Sequence, residues 1–296
     1  MRRSDTGLVL PGGVGRKGQP LRLAMTLTGG LVGLALIASF GYGNPDDLHA
    51  YYATSVDHIY ARATVGTVDA YLYSPAFIQA FHPLTLLPFA VAEAVWRGLL
   101  LGAVVLLAGP LAIVAVLLPP VAMELNTGNI HVLLGLAIVA GFRWPAAWAL
   151  VLLTKVTPGV GLLWFAARRE WRNLAVALAA TAAIVGASAI LAPAAWPEWL
   201  GLLAANATGS SRTGWSPGPG VLPIPLLVRL PVAVVLVVWG ARLDRREAVP
   251  IAAMLALPVV WFSALSMLVA VIPLWSWPSG RRDVGTGASA GSSDLP

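Results

Sequence analysis

The chain has 296 residues, of which 58% are hydrophobic and only 11% charged, with a formal charge of +6, four His and no Cys. Soluble domains carry about 25% charged residues, so this composition, with a mean hydropathy of +0.78, excludes an ordinary soluble core and implies a polytopic integral membrane protein. The missing Cys removes disulfides and thiol chemistry, the few His leave little for a metal site, and no basic stripe with interleaved aromatics points to nucleic acid.

Residues 1–22, "MRRSDTGLVLPGGVGRKGQPLR", are polar, basic and Gly-rich, and read as a disordered cytoplasmic tail. A membrane-embedded domain is expected over 23–275. Its first apolar run, 23–41, is long enough to span and shows no cleavage site, so it reads as a retained helix. Arg2, Arg3, Arg16, Lys17 and Arg22 place its start inside, which puts the next loop outside. That loop, 42–80, is the acidic segment of the sequence: Asp46, Asp47, Asp57 and Asp69 stand against Arg62.

A carboxylate held at the lipid surface can act as general base towards a substrate hydroxyl. Asp47 is the first candidate and Asp46 the second, because both directly follow a span and precede the aromatic "LHAYY". Asp57 and Asp69 read as solvated loop residues. Two adjacent carboxylates can hold a divalent cation, but no third ligand stands out, so neither a metal site nor a cofactor is expected. Tyr51, Tyr71 and Tyr73 are candidates for the sugar or acceptor side, since aromatic rings stack on sugar faces; interfacial anchoring is the alternative.

"YLYSPAFIQAFHPLTLLP" (71–88) reads as an interfacial helix punctuated by Pro75, Pro83 and Pro88. One full span is expected before Gly109, carrying Arg97. The runs 111–123 and 130–141 are each too short to cross about 30 Å of hydrocarbon. Joined through "ELNTGN" they predict a tight hairpin with Glu124, Asn126 and Asn129 at its tip and Gly128 in a special backbone conformation. The amides Asn126 and Asn129 are candidates for sugar hydroxyls.

Residues 145–154 and 158–167 are two short apolar pieces joined by "KVTP", flanked by Arg143 before and Arg168, Arg169 and Arg172 after. This pattern predicts a re-entrant hairpin with Lys155 at its buried tip, where a lone cation suits an anionic lipid phosphate. A snorkelling Lys is the alternative. Arg97 carries a weaker form of the same argument. A span at 173–192, an outer Pro/Gly/Ser-rich loop at 193–220, a return at 221–240 to the basic "ARLDRRE", and an apolar run at 249–275 complete the domain. That last run suits one tilted helix, or two short ones around Pro258. Residues 276–296 read as a disordered tail. The fold class is therefore all-α, a polytopic membrane bundle with re-entrant or short hairpin helices, about eight to ten in all.

"DLHAYY", "YLYSPAF…PLTLLP…W", "NTGNIHVLL" and "KVTPGVGLLWFAARREWR", in this order, resemble glycosyltransferase family 87, integral-membrane enzymes of the GT-C class. The resemblance implies a polyprenyl-phosphate sugar donor, most often of mannose. It further implies a glycolipid or glycan acceptor, membrane lipids as surroundings, and inverting transfer on the outer face of the plasma membrane. By position it makes Asp47 the base, and it places Lys155 and Pro158 in a hairpin where a donor phosphate binds. The family's Gly-Gln-any-Asn pattern is matched imperfectly by "NTGN", and its late Trp-His is replaced by "VVWFSALSML", with Phe262 and Ser263 at those places. The rival reading of the residues is a transporter or flippase, since broken helices at membrane depth serve those proteins too; a third is a degenerate, non-catalytic relative.

Overall fold

A computed structural model describes residues 19–39, 46–61, 63, 69–208 and 221–275. Residues 1–18 of the tail expected over 1–22, the expected tail at 276–296, and Arg62 lie outside the described residues. The first helix, α1 (Gln19–Ser39), begins four residues before the expected boundary. Pro20 stands in its first turn, where a missing N–H costs nothing. Gly29 and Gly33 form its buried face, while Leu21, Leu27, Leu31 and Leu34 stay exposed. An apolar surface of that kind belongs against lipid.

After α2 (Asp46–Ala53) the chain runs to α3 (Pro75–Thr85), a helix where the Pro pattern led one to be expected, with Pro75 at its start. Then α4 (Phe89–Ala108) and α5 (Ala112–Leu117), linked by a 3-10 turn over Gly109–Leu111, make one span of 29 residues. The run at 111–123 is therefore divided: its first part completes this span, and its second part starts α6 (Pro119–Thr127) at a Pro pair.

α6 and α7 (His131–Gly141) meet at 107°. A 3-10 turn over Pro145–Ala147 leads into α8 (Trp148–Thr154), which stops at the extended Lys155. A 3-10 segment (Thr157–Leu162) and α9 (Leu163–Ala167) then return. Trp148 wedges this hairpin: a methyl group on Gly161 would run into its ring, so glycine allows the approach.

α10 (Trp171–Leu191) crosses, and α11 (Ala195–Thr208) follows. The outer loop expected over 193–220 is thus helical in its first half. Pro197 and Glu198 suit a first helical turn. Trp196 and Trp199 dock the helix by donating to Ser188 Oγ and the Leu72 carbonyl; residues 209–220 lie outside the described residues. α12 (Leu226–Leu243) returns. The last apolar run then takes the broken form: α13 (Ala248–Leu255), a 3-10 stretch (Phe262–Ala270) and α14 (Val271–Trp275). Arg229 fixes the break around Pro258 by donating to the carbonyls of Leu255, Leu257 and Pro258.

The protein is an all-α polytopic membrane protein. Among the described residues four helices are long and apolar enough to cross a membrane, five if the bent α6–α7 pair counts as one. The fourteen α-helical segments there exceed the eight to ten expected, because Pro, Gly and one extended Lys divide apolar runs into short pieces.

Candidate active site

Two breaks in the helices create the site. At the first, Gly128 adopts a left-handed conformation, φ 73° and ψ 25°, and ends α6. Its carbonyl accepts from Trp96 Nε1 at 2.7 Å, and Asn129 Oδ1 accepts from the Ile130 N–H at 2.7 Å. Backbone freed at a buried break needs partners of this kind. Glu124 supplies more. Its Oε1 accepts from the Val132 N–H at 3.1 Å, and its Oε2 lies 3.0 Å from His131 Nδ1. A buried carboxylate thus sits at the N-terminus of α7, where exposed N–H groups favour negative charge.

At the second break, Lys155 points from the tip of the α8 hairpin to His131, with Nζ 2.9 Å from Nε2, and over the Tyr73 ring, 5.5 Å from its centroid. Asp47, in the first turn of α2, completes the group. Asn129 and Lys155 are both close enough to act on its charge. Burial pushes the Asp47 carboxyl up from the ordinary aspartate range, and Lys155 draws it part of the way back. Asp47 and Lys155 are both partly accessible, whereas Glu124 and His131 are each 0% exposed. The two reachable groups therefore rest on a fully buried layer.

The other predicted residues divide. Tyr51 and Tyr73 are buried beside the cluster, their hydroxyls 3.0 Å apart, and burial pushes both phenols up, so they stay protonated. Tyr71 is buried too, but its hydroxyl donates to the Ser74 carbonyl, a link within its own segment. Asn126 is exposed, away from Asn129. Arg97 is committed elsewhere: it pairs with Glu93, one helical turn earlier, at 2.9 Å and donates to the Asn126 carbonyl at 3.1 Å. The Asp46 side chain lies outside the described residues. Asp57 is exposed, while Asp69 shares a hydrogen bond with His49, a contact the sequence reading did not foresee.

Glu124 and His131 were not singled out for a role from sequence. An available signal was that both are ionisable residues inside apolar runs of a chain that rations charge. Beside the hairpin, an open groove of about 380 Å³ starts at Thr157, two residues past Lys155, and runs past Leu162, Leu163, Leu174 and Leu230.

The family model described as Glycosyltransferase family 87 matches residues 71–271. The chain belongs to that family. It is accordingly a membrane glycosyltransferase, with Lys155, His131, Glu124 and Asn129 inside the matched region and Asp47 before it. A curated relative from Mycolicibacterium smegmatis (strain ATCC 700084 / mc(2)155) is 25% identical over 283 residues, covering 78% of this chain and 68% of its own. Its name is polyprenol-phosphate-mannose-dependent alpha-(1-2)-phosphatidylinositol pentamannoside mannosyltransferase. No solved structure matches the chain.

Proposed function

We propose that this glycosyltransferase moves mannose from a polyprenyl-phosphate donor to a hydroxyl of a glycolipid, with inversion, at the outer face of the plasma membrane. The observation that carries this reading is the convergence of Asp47 and Lys155, from distant parts of the chain, on one partly accessible cluster. The relative's name, with its polyprenol-phosphate-mannose donor and glycolipid acceptor, supports the substrate classes.

In the proposed reaction the acceptor oxygen attacks the anomeric carbon from the face opposite the phosphate. The acceptor O–H proton passes to the Asp47 carboxylate. The bond from the anomeric carbon to the phosphate oxygen breaks, and polyprenyl phosphate leaves as an anion. Lys155 offsets the charge that grows on that phosphate, which is where a fixed cation lowers a barrier most. Phosphate is a good leaving group already, so the reading assigns the cation's part to Lys155 and requires no metal or other cofactor. The groove beyond Thr157 gives the isoprenoid an apolar surface continuous with the hairpin tip. Tyr51, Tyr73 and Asn129 are the proposed sugar side of the site.

The test is transfer of labelled mannose from polyprenyl-phosphate mannose in membranes that contain the protein. Wild type transfers label to lipid, and Asp47→Asn reduces the rate by about 10²–10⁴-fold, the range for loss of a general base. Transfer at the wild-type rate by Asp47→Asn overturns the assignment of the base.

A further inference from the structure

The hydrogen-bond chemistry behind Lys155 dictates a proton arrangement. A Lys ammonium has three donors and no acceptor. With Lys155 Nζ 2.9 Å from His131 Nε2, that nitrogen must present its lone pair, so the ring proton sits on Nδ1. Nδ1–H then donates to Glu124 Oε2 at 3.0 Å, and Glu124 Oε1 accepts from the Val132 N–H. A continuous line of donors thus runs from the cation to a carboxylate at the N-terminus of α7. Glu124 and His131 are both 0% exposed, so neither meets substrate. Lys155, on irregular backbone between short helices, has no long side-chain neighbour in its own segment to hold it.

We propose that Glu124 and His131 are positioning residues: a buried mount in which the Glu124 carboxyl orients the His131 ring and the ring holds Lys155 at one point. One Lys155 N–H is spent on His131. The other two remain for an anionic oxygen on the accessible side, near Asp47. That His131 acts on donor binding rests on the reading of Lys155 as the phosphate group's partner; that it holds Lys155 does not.

Two measurements separate these statements. In nitrogen-15 spectra of the His side chains, assigned by the signal that disappears in His131→Gln, wild type shows the proton on Nδ1 and an unprotonated, hydrogen-bonded Nε2. In Lys155→Met the Nε2 signal moves as its donor is lost. The second measurement is affinity for a short-chain polyprenyl phosphate in detergent. His131→Met keeps the volume and loses the acceptor, and weakens binding about ten-fold or more; His131→Gln keeps an acceptor oxygen and stays within about three-fold of wild type. In the Lys155→Met background the two His131 variants bind alike.

A proton on Nε2, or an Nε2 signal unmoved by Lys155→Met, overturns the mount. So does equal loss by His131→Met and His131→Gln, or a loss by His131→Met that persists undiminished without Lys155. If wild type binds no polyprenyl phosphate while the spectra match expectation, the donor assignment fails and the mount stands.

Discussion

A methyl group placed on Gly128 would lie 2.7 Å from the Leu48 side chain, closer than real carbon contacts come. Leu48 is buried at 0% exposure and is the neighbour of Asp47, so the first turn of α2 is seated directly on the break between α6 and α7. The left-handed backbone at Gly128 adds a second reason for glycine, since a side chain there costs roughly 1–2 kcal/mol. Gly128→Ala is therefore expected to lower the melting temperature and to lift α2 away from Asn129. Transfer should fall further than stability does, because the displaced group includes Asp47. Thermal unfolding and mannose transfer, measured on the same detergent preparation, check both parts.

Asp47 gives the opposite separation. Its carboxyl is raised by burial, so the folded protein holds the proton more tightly than the unfolded chain does. The sign follows: folding is penalised as pH rises from the unfolded value through the folded one, and the penalty persists above it. Asp47→Asn removes that penalty at neutral pH and keeps the shape. It is expected to melt no lower than wild type at pH 7 while losing transfer. A clear drop in melting temperature would assign Asp47 to packing instead of chemistry.

The pH profile of transfer carries a related expectation. A general base works only when deprotonated, so with Asp47 as the proposed base activity falls on the acid side as pH drops through the Asp47 value. Since burial raises that value, the acid limb should lie above the ordinary aspartate range. Lys155 is the largest influence pulling it down, so residual transfer by Lys155→Met should show an acid limb moved to higher pH. An unchanged limb, at whatever reduced rate, would separate Lys155 from Asp47 electrically.

Particular residues show how far the sequence could be read. The need for a special conformation at Gly128 and the break at Lys155 were both legible, because "NTGN" and "KVTP" interrupt apolar runs too short to span. Which of Asn126 and Asn129 is buried was not. They flank a left-handed residue, which turns one side chain outward and buries the other, and composition does not reveal that. Glu124 and His131 meet across the same turn, so no helical spacing advertised them. By contrast, the pairing of Glu93 with Arg97 was present as an i,i+4 spacing on one helix. Considering Arg97 alone made it a candidate for phosphate. Likewise, the helix over Ala195–Thr208 was obscured by the Pro/Gly/Ser content of the residues after it.

That buried pair sets the last expectation. Arg97 and Glu93 are 3% and 1% exposed, and Arg97 also donates to the Asn126 carbonyl in the last turn of α6. Removing one member strands a buried charge, which costs about 3–5 kcal/mol, whereas replacing both with apolar residues of similar volume is often close to neutral. Arg97→Met alone should therefore unfold the protein at markedly lower temperature. Arg97→Met combined with Glu93→Met should recover most of that loss, with the Asn126 contact among the costs that remain. If the recovered double variant also transfers mannose with an unchanged KM for the donor, Arg97 serves the fold and Lys155 is the cation that meets the phosphate. A donor KM that stays high after the melting temperature has recovered would instead return Arg97 to the phosphate site.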